Sequence, residues 1–174
     1  FQLSDYCFDK QLEFIQHPSR WKTACCGGRA GKTVADAAYL THTALAKPRS
    51  VALYLTLSRS NAKKLIWPEL KLINDKFKLG GVVNESDLSI NYNGSFIYAS
   101  GASTKVEIEK FRGLPLSICI IDEVQSFPPF VQELIEITDA LSIVCNCAFS
   151  LLGMTYLVYK LNSGAQPFFC HMAE

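Results

Sequence analysis

Apolar residues recur along the chain in two alternating rhythms. Residues 23–26, 51–57, 117–121 and 143–151 are short runs with little polar interruption, the length and composition of strands buried on both faces. Between them lie segments of helical character. In residues 5–16, Tyr6, Phe8, Leu12 and Ile15 fall at core-facing spacing, with Asp5 or Ser4 as the cap. His17-Pro18-Ser19 closes that segment, because proline disfavours helix in the residue before it. Helices are also expected over about 32–45, ending before Pro48, over 61–78, and over 128–141, opened by Pro128. Residues 88–92 and 96–99 flank Asn93-Gly94, a strong two-residue hairpin signal. Strands alternating with helices predict an α/β domain with a mainly parallel sheet, the hairpin being an antiparallel addition. No repeat, low-complexity stretch or linker divides the chain, so one domain is expected.

The run from 140 to 159 is uncharged and about as long as a membrane span. Ser142, Asn146, Ser150, Gly153 and Thr155 interrupt it, and a buried strand leading into a helix is the preferred reading; no membrane association is expected. Composition narrows the picture further. The 174 residues are 49% hydrophobic, enough for a substantial core, and 17 Lys and Arg against 16 Asp and Glu leave a formal charge of +1. That near-neutrality excludes binding through bulk positive charge, so any nucleic-acid contact must come from local patches. Seven cysteines and the lack of a signal peptide argue against a disulfide-stapled secreted fold. The start at Phe1 and the end at Glu174 read as those of a piece of a longer chain.

Two constellations carry chemistry. Cys26-Gly27-Gly28-Arg29-Ala30-Gly31-Lys32-Thr33 lies between a predicted strand and a predicted helix and has the GKT ending of a P-loop. Glycines allow successive backbone N–H groups to ring a phosphate, and the following helix points its positive end at it. Lys32 is suited to the terminal phosphates and the Thr33 hydroxyl to magnesium. Ninety residues later, Ile118-Cys119-Ile120-Ile121 ends in Asp122-Glu123. Side chains alternate along a strand, so both acids serve one site only if the strand ends there and the chain turns. Asp122 is suited to the magnesium shell, and Glu123 to orienting and polarising an attacking water. The pair tilts the expected reaction toward hydrolysis.

These residues resemble the ATPase domain of the large terminase subunit, the DNA-packaging motor of tailed bacteriophages. The resemblance covers about residues 8–164. It rests on Gln11 before His17-Pro18-Ser19-Arg20-Trp21-Lys22, on the glycine-rich turn from Cys25 to Thr33, and on Phe111-Arg112-Gly113 ahead of Ile120-Ile121-Asp122-Glu123. It implies a P-loop NTPase of the RecA/ASCE-like type, a three-layer sandwich with a mainly parallel sheet. Residues 1–20 would form an adenine-side segment, 21–164 the core and 165–174 a tail, with a nuclease domain expected downstream. The implied activity is ATP hydrolysis with ATP and Mg2+, driving double-stranded DNA into a procapsid in the host cytoplasm. Portal protein, a small terminase subunit and further copies in a ring are the implied partners.

By the same resemblance Gln11 recognises adenine. Gly27, Gly28, Arg29, Ala30, Gly31, Lys32 and Thr33 hold the phosphates, and Glu123 is the catalytic glutamate. Arg112 corresponds to an arginine that in some members reaches a neighbouring subunit. Two departures stand out. The family's usual P-loop arginine falls at Gly28, with Arg29 one residue later, and Leu152-Gly153-Met154-Thr155-Tyr156 replaces a shorter coupling motif, leaving Thr155 as the coupling candidate. Either Arg29 in cis or Arg112 from a neighbour is the expected arginine finger.

Other readings share these motifs: a helicase-like P-loop ATPase, or a nucleotide-binding prophage remnant without turnover. Arg59, Lys63, Lys64, Lys71, Lys76 and Lys78 form a basic stretch, more simply read as a wet helix face than as a DNA contact. Cys145, Cys147, Cys170 and His171 have no usual zinc spacing, and His17 and His42 are expected to be structural.

Overall fold

The computed structural model describes residues 1–25, 29–123, 126–127, 142–147 and 168–171. Its centre is an eight-stranded sheet: β1 (Trp21–Cys25), β2 (Val51–Thr56), β3 (Val82–Asn84), β4 (Ser89–Tyr92), β5 (Ser95–Gly101), β6 (Leu116–Ile121), β7 (Ser142–Cys147) and β8 (Phe168–His171). The spatial order is β3-β4-β5-β2-β6-β7-β1-β8. From β5 to β8 all neighbours are parallel, whereas β4 runs antiparallel to β5 and β3 to β4. The expected parallel sheet with an added hairpin is therefore present, turning at Asn93 and Gly94, both with positive φ.

The aliphatic runs are buried on both faces of the sheet. On β2, Ala52 and Tyr54 enter one core while Val51, Leu53 and Leu55 enter the other; on β6, Ile118 and Ile120 part from Cys119 and Ile121 in the same way. Each large aliphatic side chain so buried contributes about 1.5–3 kcal/mol. The first core is covered by α1 (Asp9–Gln16), α2 (Lys32–Ala46), α3 (Arg59–Leu65) and α4 (Trp67–Lys76), through Phe14, Leu40, Trp67 and Leu70. Ala35, Ala37, Ala38 and Ala44 on α2 are small enough to bring that helix close to the strands. Ile108 of α5 (Lys105–Glu109) and Phe111 pack into the second core. Helix, sheet and helix make the three layers.

Several elements differ from the sequence reading, each for a local reason. Residues 3–5 form a separate 3-10 turn, and α1 starts only at Asp9, so neither Ser4 nor Asp5 caps it. Its first turn is instead closed by Gln11, whose Oε1 accepts the Phe8 N–H at 3.1 Å. The helix expected over 61–78 is two, broken at Ile66, because Pro68 has no N–H to continue the ladder. Helix α5 adds to the elements expected from sequence; Thr104-Lys105-Val106-Glu107 starts it as a capping box, with the Glu107 N–H donating to Thr104 Oγ1 and the Thr104 N–H to Glu107 Oε2. Strand β3 also adds to the expected elements; at three residues it is too short to leave a pattern in the sequence. Phe168–His171, inside the segment read as a tail, pairs in parallel with β1. Within the uncharged run, residues 142–147 form β7 as a strand of the sheet; residues 148–159 lie outside those described, as does the helix expected over 128–141. No described helix is long and apolar enough to cross a membrane.

Candidate nucleotide site

Strand β1 ends at Cys25 and α2 begins at Lys32, so the glycine-rich turn joins the carboxyl edge of the sheet to a helix N-terminus. Cys26, Gly27 and Gly28 lie outside the described residues. Arg29 is exposed with φ 67°, a left-handed backbone that non-glycine residues rarely adopt, and Gly31 follows at φ 77° as the N-cap of α2. Ala30, Lys32 and Thr33 are half-buried around that helix start. Gln11 is 1% exposed, and its Nε2 donates to the Gly31 carbonyl at 2.9 Å. The segment before β1 is tied to the P-loop by this bond and anchored at its other end by Lys22. That lysine is buried on β1, and its Nζ donates to the Ile15 carbonyl at 2.7 Å and to the Tyr39 hydroxyl at 2.8 Å.

The acidic pair sits where the sequence places it, at the carboxyl end of β6. Asp122 extends the sheet ladder through its N–H to the Leu55 carbonyl, 2.9 Å. Glu123 then turns left-handed at φ 58°, closed by a 2.9 Å bond from the Ser126 N–H to the Glu123 carbonyl. Alternation along the strand is broken at this one residue, as two acids serving one site require. Holding Glu123 there costs of the order of 1–3 kcal/mol, a type of strain concentrated at functional sites.

Asp122 is buried, and its Oδ2 accepts the hydroxyl of fully buried Tyr54 at 2.7 Å. Burial pushes the Asp122 pKa above its ordinary value, with Glu123's charge adding to the rise, while hydrogen bonds from Tyr54 and the Glu123 backbone and the Lys32 charge pull it down. Burial first, then the charges of Asp122 and Asp36, push the Tyr54 hydroxyl well above its usual value, so it stays a donor. Lys32, Asp122, Glu123, Tyr54 and buried Asp36 on α2 thus share one electrostatic neighbourhood. Tyr54 and Asp36 were not foreseen: a tyrosine in an apolar strand carries no signal of which carboxylate it will meet.

A whole strand, β7, separates β1 from β6. Two strand spacings leave about 9.5 Å between the P-loop strand and the acid strand, room for phosphate and an attacking water. The donor set suits a hard divalent cation. A carboxylate has lone pairs to spare beyond those that Tyr54 and the Glu123 backbone engage on Asp122, and Thr33 supplies a hydroxyl in the first turn of α2.

The other predicted residues fall elsewhere. Arg112 precedes β6, at the sheet edge opposite the acids; it is exposed and paired with Glu109 at 2.7 Å. Thr155 lies outside the described residues. His17 accepts the Ser19 N–H at Nδ1, and His42 is half-buried on α2 with a pKa lowered by burial, both structural placements. In the basic stretch Lys63, Lys64, Lys76 and Lys78 are exposed or half-exposed, Lys71 pairs with Glu85, and Arg59 donates to the Ser86 carbonyl. Among the described residues no group of three or more side chains is arranged to hold a metal.

A parallel sheet with a phosphate-type turn after β1 and an acidic strand two places away defines an α/β fold of the P-loop type. More narrowly, it is the fold of large terminase ATPase domains. The large terminase of a thermophilic bacteriophage superposes with a TM-score of 0.74 at 19% identity over 94% of this chain. The large terminase ATPase domain of Thermus phage P74-26 gives 0.68 at 16% identity over 95% of this chain and 80% of its own. The HK97 bacteriophage large terminase gives 0.68 at 16% identity. The present chain spans 45% of the thermophilic-phage protein and 39% of the HK97 protein. The thermophilic-phage terminase has also been solved in complex with ADP and with ATP-gamma-S. No protein-family profile matches the sequence, and no curated protein matches it.

Proposed function

We propose that this chain is the ATPase motor domain of a large terminase subunit, hydrolysing ATP to move double-stranded DNA into a procapsid. The observation that carries the reading is the meeting of Lys32 and the Asp122-Glu123 turn at one sheet edge, within a fold shared with terminase ATPase domains. ATP lies along the P-loop, with Gly27, Gly28, Arg29, Ala30 and Gly31 around its phosphates and Lys32 neutralising the terminal ones. Thr33 and Asp122 are the residues that would hold Mg2+, which when bound spreads the charge on the β- and γ-phosphates.

Glu123 orients a water in line with the γ-phosphorus and accepts its proton as the oxygen attacks. The bond from the γ-phosphorus to the β–γ bridging oxygen breaks, and ADP leaves with that electron pair. Burial of Asp122, the charge of Glu123 and the positive end of α2 create a steep local field in which Lys32 is the balancing cation. Arg112 lies beyond the far end of β6, which favours its acting on a neighbouring subunit's nucleotide in a ring; Arg29, exposed beside the phosphates, acts in cis on charge. Portal protein and a small terminase subunit are the partners this role entails.

The test is steady-state ATPase of the assembled protein. Glu123→Gln is expected to lower kcat by about 10³-fold with nucleotide binding retained, the scale of a lost general base. Hydrolysis at the wild-type rate overturns the reading.

A further inference from the structure

The chain has seven cysteines, and the sheet brings two of them side by side. Cys25 ends β1 and Cys147 ends β7, and the two are register partners on neighbouring parallel strands. No other two cysteines are matched in this way among the described strands. Cys119 is opposite Leu53 and Ile143, Cys145 opposite Thr23 and Ile121, and Cys170 opposite Ala24. Register partners share a sheet face, and adjacent strands run about 4.8 Å apart. That lies inside the roughly 4.4–6.8 Å between α-carbons that a disulfide spans. On its other side Cys25 is matched with His171, so one row across β7, β1 and β8 reads Cys, Cys, His.

Cys25 is a free thiol, 4% exposed, at the sheet edge where the glycine-rich turn begins. The other buried thiols are built differently. Burial pushes Cys7 up to about 11 and Cys119 up to about 12, which keeps both as unreactive thiols, and Cys119 lies within β6 rather than at its end.

We propose that Cys25 and Cys147 are a dithiol pair that hydrogen peroxide closes to a disulfide, and that closure weakens nucleotide binding. The Cys25 thiolate attacks a peroxide oxygen, the O–O bond breaks, and the leaving hydroxide takes a proton to depart as water. Cys25 is then a sulfenic acid. The Cys147 thiol attacks that sulfur, the S–O bond breaks, and a second water leaves. Two thiols have lost two electrons, and one peroxide has taken them. Parallel partners hold their β-carbons at about the strand spacing, wider than the roughly 3.8 Å that a disulfide prefers, so closure draws the end of β1 toward β7. The chain enters the glycine-rich turn at the next residue, and a misplacement of about 1 Å can cost about 10²-fold at a site. The same strain makes the bond easy to reduce.

The effect on binding rests on the nucleotide reading above, whereas the pairing does not. The experiment treats the full chain with hydrogen peroxide and maps its disulfides by mass spectrometry of unreduced peptides. A fluorescent ADP analogue is titrated before oxidation, after it, and after dithiothreitol. A peptide linking Cys25 to Cys147, about a tenfold loss of affinity, and full recovery on reduction are expected. Cys147→Ser should bind as the reduced wild type does and hold that affinity in peroxide. Cys145→Ser, two residues earlier on the same strand, should respond as wild type. No linked peptide, or a linked protein with the affinity of the reduced one, overturns the proposal, as does a peroxide-induced loss that persists in Cys147→Ser. Failure of the reduced wild type to bind the analogue would instead defeat the nucleotide reading, and the linked peptide alone would then decide the pairing.

Discussion

At the carboxyl end of β6, Asp122 is held by the Leu55 carbonyl and the Tyr54 hydroxyl, and Glu123 is locked into a left-handed turn. Four residues before the other end of the same strand, Arg112 is exposed and paired with Glu109, in a pair too exposed to fix it. One end is preorganised and desolvated; the other is accessible and held by one exposed ion pair. A group that must stabilise charge in its own site is usually built like the first, whereas a group delivered to another molecule has to be built like the second. The contrast therefore divides the proposed machinery into a part complete within one chain and a part lent across an interface.

The sharpest way to break that contrast is to remove Arg112. Arg112→Ala is expected to lower hydrolysis by the assembled ring by about 10³-fold or more, as loss of an arginine finger does, while ADP affinity is unchanged. Mixing it with Lys32→Ala subunits should restore part of the rate, since some interfaces then pair an intact P-loop with an intact arginine. No recovery in any mixing ratio would place Arg112 outside catalysis.

A smaller effect is expected at the fixed end. Tyr54→Phe keeps the ring that packs in the core and removes only the hydroxyl on Asp122 Oδ2. Partners of metal-holding carboxylates are worth about 10–100-fold in metal affinity, so the Mg2+ concentration that half-supports ADP binding should rise about tenfold. Metal-free ADP binding, measured in EDTA, should not move; an equal loss there would make Tyr54 merely structural.

Asp122→Asn gives the smallest change, and in the opposite direction. Burial raises the folded-state pKa of Asp122, so its ionised form weighs against folding at neutral pH. The amide should stabilise the fold by about 1 kcal/mol, a few degrees in Tm, although it removes a proposed metal-holding oxygen. The sign fixes the pH trend. In the window above the unfolded pKa and up to the raised folded one, the native carboxyl holds a proton that the unfolded chain has released. Wild-type stability therefore gains as pH falls, and the advantage of the asparagine shrinks. A gain in Tm that is constant with pH would refute the role given to burial.

The sequence was most legible where one physical demand dominates. Two-sided burial left aliphatic runs at β2 and β6 that admit few readings, and Asn93-Gly94 announced its turn because few residues accept φ > 0. The placement of Lys32 and Thr33 at a helix start after a strand, and of Asp122 and Glu123 at a strand end, was legible because a glycine-rich turn and an abrupt change from aliphatic to acidic residues mark those boundaries. Legibility failed where tertiary contact decides. Nothing local in Gln11 says that its amide will cap α1 and hold Gly31, nor in Tyr54 that it will meet Asp122 from the next strand. Pro68 and the capping box at Thr104, by contrast, are local signals: the first breaks a helix and the second starts one.

The strand order also sets a timetable. Strands β2, β4 and β5, all from residues 51–101, lie side by side and can pair as soon as they are made. Strand β1 is flanked by β7 and β8, and Cys25 waits for Cys147. At about 5–20 residues per second of synthesis, the roughly 120 residues between them take about 6–24 s. The strand that leads into the glycine-rich turn is thus among the first to leave the ribosome and among the last to gain its neighbours, so the proposed nucleotide site is born late, after the scaffold that frames it.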